Sequence, residues 1–288
     1  MTTHTIPQEF YADGVSRVHF IGGMARLDFM TLQPMEDSTE ILRSTNLRII
    51  MPAAEVGRLR DVLSELVKRI ETPESVDKVA AYNPGIFSVS GIEAAKRVIL
   101  TPEGPATPEE RWRRETPALL GMMKGHWKLG DGVTVVDYGC GIGRLAKELC
   151  ALGCKVVGVD ISQEMRRLAV QYVDSFRFSA VSPEEFVSML DGGFTCDYAC
   201  AVWVLQHSLT PDKDISLIAR ALRSGGSLFV VNNKYSRALP VSGGGWKDDH
   251  IDIWKLCGEI LREKELLPFP PDAGIDPRYF QCAFYDKI

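Results

Sequence analysis

The sequence predicts an α/β protein preceded by a small α+β unit, and three observations carry that prediction. From Gly130 onward, short apolar runs of strand character alternate with helical patterns. The first of these runs ends in a turn that holds three glycines. Ahead of Thr72, three strand-like runs precede a single helical pattern. Strands that alternate with helices imply a mainly parallel sheet covered on both faces.

The elements follow in order. Residues 15–21 and 24–32 alternate around Gly22-Gly23, a hairpin signature, and residues 39–51 read as a third strand. Pro52 is placed to open a helix, as proline can at a first helical turn. Val56, Leu59, Val62, Leu63, Leu66, Val67 and Ile70 share one face at helical spacing, and Thr72-Pro73 is the stop. The unit at 1–73 resembles, in pattern only, an uncharacterised small bacterial β-β-β-α domain. So small a unit buries little apolar surface, and a homo-oligomer formed through it is the working hypothesis.

Residues 74–108 carry repeated prolines and glycines and read as a linker with one short helix at 92–99. Residues 109–127 read as a helix interrupted at Pro117. Strands are then expected at 133–137, 155–160, 176–178, 197–202, 227–232 and 279–285. Helices are expected at 142–151, 163–173, 183–190, 214–222 and 251–262.

Composition bounds the function. The 288 residues are 45% apolar and 25% charged, the balance of a globular protein, and the net charge is −5. A protein gripping a nucleic-acid backbone usually shows a basic surplus, so nucleic acid is disfavoured as a partner. No apolar run is long enough to span a bilayer, and the first residues carry no signal-peptide pattern. No membrane partner and a cytoplasmic location are therefore expected. The seven cysteines form no C-x-x-C pair, so reduced, mostly buried thiols and no metal site are expected.

The stretch that carries chemistry is Val135-Val136-Asp137-Tyr138-Gly139-Cys140-Gly141-Ile142-Gly143-Arg144. Glycines let a backbone turn sharply and approach a ligand, and a helix N-terminus adds free N–H groups. Such a turn can hold a nucleotide-like cofactor at the C-terminal edge of a sheet. Arg144 stands where a dinucleotide fingerprint has its last glycine, which disfavours a nicotinamide-dependent oxidoreductase. The next strand ends in Asp160-Ile161-Ser162, about twenty residues on, where an acid can accept two ribose hydroxyls.

These residues resemble the class I S-adenosylmethionine (SAM) dependent methyltransferases over about residues 109–288. Residues 135–143 match the family's first motif, residues 194–207 its fourth-strand motif, and residues 221–228 its later helix–turn–strand. The resemblance implies a seven-stranded Rossmann-like sheet with an antiparallel last strand and a methyl transfer to an oxygen or nitrogen of a small-molecule acceptor. It implies SAM as cofactor, held by Asp137, Tyr138, Gly139, Cys140, Gly141, Gly143, Asp160, Ile161 and Trp203. Ser182 stands where the family often has an adenine-binding acid. Ser224 replaces a common proline.

His207, after the fourth strand of the domain, is the candidate base, with a helix-packing histidine as the alternative. Trp112, Asn233, Tyr235, Trp246 and His250 are candidate substrate contacts near the expected mouth. The Asp/Asn-Pro-Pro-aromatic and Pro-Cys motifs of DNA methylases are missing from the fourth-strand segment. A SAM-binding scaffold without catalysis, and a protein or nucleic-acid acceptor, remain the rival readings.

Overall fold

The computed structural model describes residues 14–34, 41–70, 82–101, 106–242 and 245–287. The chain divides into two compact units, Met1–Val79 and Ala80–Ile288. The break falls in the Pro/Gly-punctuated region, but the second unit starts well before Glu109.

In the first unit, β1 (Gly14–Ile21), β2 (Met24–Pro34) and β3 (Ile41–Pro52) form an antiparallel sheet in that order. Gly22 and Gly23 take φ of +61° and +78°, the two left-handed positions of a tight hairpin turn. The strand runs through Pro52, so α1 (Ala53–Ile70) begins one residue later than expected, against β2 and β3. Asp28, buried, takes a two-pronged bond from Arg48 (2.5 and 2.8 Å), which holds its carboxyl below the usual range. Val18 lies opposite Leu27, and Leu27 opposite Ile49; Phe20, Ala25 and Met51 form the next cross-strand row. Val18 and Phe20 in these rows are 65% and 68% exposed. The Thr72-Pro73 stop lies outside the described residues.

The second unit opens with a 3₁₀ turn, Pro84–Phe87, then α2 (Ile92–Ile99) and α3 (Pro108–His126). Residues 92–99 were expected as a helix inside a linker. They are instead built into the domain, because Ala95 packs with Ile142, Met165 and Leu168. Asn83 N–H also bonds the Pro240 carbonyl, and Tyr82 bridges to Val241. Helix α3 begins in a capping box, Thr107 with Glu110, and continues unbroken through Pro117. Pro117 was expected to interrupt it. Two buried side chains just ahead, Arg111 and Glu115, anchor that stretch, and the Thr116 hydroxyl bonds the Trp112 carbonyl at 2.6 Å.

Then follow β4 (Thr134–Tyr138), α4 (Arg144–Ala151), β5 (Lys155–Val159), α5 (Gln163–Val173), β6 (Phe178–Val181) and α6 (Pro183–Asp191). Next come β7 (Cys196–Val202), α7 (Pro211–Ala221), β8 (Leu222–Asn233), the short pair β9 (Leu239–Pro240) and β10 (Trp246–Lys247), and α8 (Ile253–Ile260). The chain ends with β11 (Arg262–Pro268) and β12 (Phe280–Asp286).

Seven strands make one sheet in the order β11-β12-β8-β7-β4-β5-β6. Strands β8 to β6 in that order are mutually parallel; β12 is antiparallel to β8 and β11 to β12. Alternate residues of the inner strands enter opposite cores, as the period of two requires. Val135, Phe229 and Phe284 pack with Leu119, Met123 and Leu149 on one face. Val136, Val230 and Tyr285 pack with Phe186, Ile218 and Cys257 on the other. Strand β4 has the next strand, β5, on one side and β7 on the other, so the connections diverge at its C-terminal end. Such a switch point opens a crevice at the strand ends.

Candidate active site

The turn at 139–143 is clamped to the end of β5. The N–H groups of Gly139 and Cys140 both reach the Val159 carbonyl, at 2.7 and 3.0 Å. Gly139, Gly141 and Gly143 all have left-handed φ, +75°, +53° and +81°, which only glycine adopts without strain. What a Cβ would meet differs at each. At Gly139 it would lie 2.2 Å from Val204 Cγ2, and at Gly141 2.7 Å from Ile99 Cδ1. At Gly143 it would lie 2.4 Å from Val173 Cγ2, so this third glycine serves the packing of α4 on α5.

Beyond the turn is a cavity of about 400 Å³. Gly139, Gly141, Asp160 and Ile161 line it, as do Val98 and Ile99 of α2. Tyr82, Phe87, Trp203, His207, Ser208 and Asp214 line it as well. The Asp160 carboxylate accepts from Gly141 N–H (2.8 Å) and from Ser162 N–H (2.9 Å). Each oxygen keeps a further acceptor position. Burial pushes the Asp160 carboxyl up from its ordinary range, opposed by those two backbone bonds.

The residues present fit a nucleoside cofactor: a paired acceptor at the strand end, an exposed apolar Ile161 beside it, and a turn with no side chain at Gly139 or Gly141.

Not every residue expected here reaches the cavity. Asp137 is only 3% exposed, beneath the turn; Cys200 Sγ–H donates to it at 3.5 Å, and burial raises its pKa to about 6. Cys140 is buried too, its thiol pushed well up by burial. Tyr138 lines the cavity with its hydroxyl donating to Asp214 Oδ1 at 2.7 Å. Ser182 caps α6 in a capping box with Glu185; Pro183 and Glu184, next in sequence, line the cavity in its place.

Trp112, expected at substrate, packs edge-on to Tyr172, with Arg144 and Lys96 each 5.7 Å from its ring. The helix phase turns it toward α2 and α5 rather than the mouth. Asn233 is occupied through its backbone, by Gln206 Oε1 (2.8 Å) and the Trp254 indole (3.3 Å). Tyr235 points out, 73% exposed, under Lys234. His250 is exposed and bonded to Asp248 at 3.2 Å. Trp246 does not line the cavity either, but its ring lies 4.9 Å from that of His207, which does. Gly243 and Gly244 lie outside the described residues.

His207 sits in the 3₁₀ turn Leu205–His207 that follows β7. Its Nδ1 lies 2.6 Å from the Ala238 carbonyl and so must carry the proton. Nε2 is left as an acceptor, with the Gln206 amide 3.2 Å away. Burial lowers its pKa to about 4, so it is neutral at ordinary pH. The folded state therefore resists protonation: this residue's contribution to stability is full above about 6.5 and is lost as pH falls toward 4.

Two features were not expected from the sequence. Asp214 lines the cavity and takes hydrogen bonds from the Ser208 and Tyr138 hydroxyls, with a carboxyl pushed up by burial. Glu115, on α3, binds Arg111, Arg144 and Trp203 in a buried cluster. Among the described residues, no group of three or more His, Cys, Asp or Glu is placed to hold a metal ion. No described helix is long and apolar enough to cross a membrane.

An open α/β sheet with a glycine turn and a strand-end acid at its switch point defines a nucleoside-cofactor domain. Comparison with known proteins narrows the class. Residues 136–230 match a family described as a methyltransferase domain. A ubiquinone biosynthesis O-methyltransferase of Thiobacillus denitrificans is 29% identical over 171 residues, 54% of this chain and 70% of that protein. One from Rhizobium etli is 30% identical, over 48% of this chain and 56% of that protein. The mitochondrial one of Dictyostelium discoideum matches over only 35% of its length. The solved magnesium protoporphyrin IX methyltransferase of Synechocystis, with bound SAM, shares the fold. Its TM-score is 0.50 at 18% identity, covering 70% of this chain and 94% of that one. Residues 136–230 of the second unit thus match a methyltransferase domain family, and the unit has the fold of that SAM-bound methyltransferase.

Proposed function

We propose that this protein transfers the methyl group of SAM to an oxygen or nitrogen of a small-molecule acceptor. The observation that carries the reading is Asp160, set beside Gly139 and Gly141 in the cavity at the end of β4 and β5. The relatives named for O-methylation in ubiquinone biosynthesis favour an oxygen acceptor.

Asp160 would hold the ribose hydroxyls, and Ile161 and Pro183 would flank the base. Glu184 lines the cavity where Ser182 was expected to meet the adenine. SAM, when bound, supplies an electrophilic methyl group on a sulfonium. The chain's task is then to hold an acceptor atom in line with that methyl group and to receive its proton. Tyr82, Phe87 and His207 form a largely aromatic wall suited to a planar acceptor. His207 Nε2 is the acceptor lone pair on that wall, once Gln206 yields it. A hydroxyl becomes strongly acidic as its oxygen gains a methyl group, so a base of pKa about 4 suffices.

Calorimetry with SAM, S-adenosylhomocysteine and NADH tests the cofactor. Binding of the first two without NADH supports the reading; NADH binding alone overturns it. Release of S-adenosylhomocysteine with a panel of phenols and amines then separates enzyme from scaffold. His207→Ala is expected to lower kcat by about 10²- to 10⁴-fold while S-adenosylhomocysteine affinity holds. Near-normal turnover would make His207 a wall residue only.

The same reading places the protein in the cytoplasm, supported by seven buried, unpaired cysteines. It also assigns self-association to the first unit, supported by the exposed apolar rows at Val18 and Phe20. Light scattering is expected to give a multiple of 32.0 kDa, falling to that mass in Phe20→Lys. A wild-type protein that is already monomeric contradicts this.

A further inference from the structure

Glu115 does not line the cavity, yet three of the cavity's walls meet on its carboxylate. It is fully buried, at 0% exposure. Its Oε2 accepts from Arg111 Nη2 at 3.0 Å. Its Oε1 accepts from Arg144 Nη2 at 3.0 Å and from the Trp203 indole N–H at 2.5 Å.

Each donor belongs to a different piece of the site. Arg144 is the first residue of α4, directly after the glycine turn. Trp203 is the first residue after β7 and lines the cavity itself. Arg111 also donates, through Nη1, to the Thr101 carbonyl at 2.8 Å, two residues beyond α2. That helix carries Val98 and Ile99 over the glycine turn. One carboxylate therefore links the turn, the post-β7 segment and the helix that covers them.

The backbone at Trp203 shows that this link bears strain. Its φ is +58°, a region that a bulky residue adopts only where its surroundings over-determine it. Three contacts do so. Trp203 N–H bonds the Val231 carbonyl at 2.9 Å, its ring packs on Phe269 and Phe280, and its indole N–H is held by Glu115. Charge makes the arrangement dependent on the carboxylate. Two buried guanidiniums, Arg111 and Arg144, converge on it, and a neutral residue there would leave them facing each other in the core.

We propose that Glu115 is a positioning residue for the SAM site, acting through the Trp203 indole and Arg144. The proposal rests on the cofactor reading above. Glu115→Gln keeps the shape and removes the charge. Trp203→Phe keeps the ring packing and removes the N–H.

S-adenosylhomocysteine affinity is measured by calorimetry for the wild type, both single variants and the double variant. Indole N–H resonances are recorded in parallel. The protein has five tryptophans, and the signal lost in Trp203→Phe identifies Trp203. Glu115→Gln is expected to weaken binding by about tenfold. The double variant is expected to be little worse than the weaker single one, since both break one link. In ligand-free Glu115→Gln the Trp203 resonance moves upfield while those of Trp246 and Trp254 stay.

Unchanged affinity in Glu115→Gln, or independent effects with an unmoved Trp203 signal, overturns the proposal. A wild type that binds no S-adenosylhomocysteine overturns the cofactor reading with it, whereas wild-type binding with an unaffected variant overturns this one alone. Should Glu115→Gln not fold, Trp203→Phe with the carboxylate intact carries the test: wild-type affinity there overturns the link.

Discussion

Replacing Asp160 by alanine is expected to weaken SAM binding by about 10²-fold or more, equivalent to about 3 kcal/mol. The size follows from the geometry. A carboxylate at this position can offer two charge-assisted acceptors to a pair of ribose hydroxyls, each about 1.5–3 kcal/mol. The same oxygens hold Gly141 N–H and Ser162 N–H, so the variant also frees the middle of the glycine turn and the start of α5. Asp160→Asn separates the two roles, because one oxygen survives to brace the turn. It is expected to recover stability more than affinity. Burial raises this carboxyl's pKa, and the neutral acid is the poorer acceptor. SAM affinity should therefore fall as pH drops from neutral toward the carboxylate range, a slope that is shallower in Asp160→Asn, where Asp137 and Asp214 still titrate. Calorimetry across pH measures both. A folded Asp160→Ala protein with wild-type affinity would remove the residue from the site.

What the sequence revealed and what it concealed divide along chain distance. The glycine turn and Asp160 are local features: a strand, a turn and an acid at a set spacing, each readable without knowing what lies across the fold. Even there the reason for the glycines was only half visible. They make room for Val204, Ile99 and Val173, side chains that approach from other elements. Trp112 was misplaced because its neighbours, Tyr172 and Arg144, come from α5 and α4. Glu115 gave no signal at all, since its partner Trp203 is 88 residues away.

The edges of elements hid for a different reason. Strand β11, with sequence REKELLP, is mostly exposed at the sheet edge and lacks the apolar alternation of a buried strand. Its first residue was read as the end of α8. The seventh strand was implied by the family resemblance but had no position. Residues 74–108 read as a linker around one short helix because prolines and glycines surround it, yet one helical turn of apolar side chains, Ala95 and Ile99, suffices to dock α2. Ser182 shows the converse: a serine ahead of Pro183 and Glu185 is a capping box by pattern, and the cap is what the structure contains.

Gly139→Ala is expected to cost about 2–4 kcal/mol of stability and to impair the cofactor site at the same time. Two effects add. A left-handed φ of +75° strains any L-residue, and the new Cβ would lie 2.2–2.4 Å from Val204. The backbone cannot easily retreat, because Gly139 N–H is held by the Val159 carbonyl at 2.7 Å. Val204 must move instead, and it lines the cavity. For a unit of this size, the thermal midpoint should fall by roughly 2–4 °C per kcal/mol. Gly193 supplies the control: its φ is +88°, but a Cβ there meets nothing within 4 Å. Gly193→Ala should therefore show the strain alone, about 1 kcal/mol, with SAM affinity unchanged. Val204→Ala in the Gly139→Ala background should recover part of the loss by making room for the methyl group. Thermal denaturation with calorimetry on the four proteins decides the matter. Equal losses at Gly139 and Gly193 would mean that backbone strain, not the approach of Val204, demands glycine in the turn.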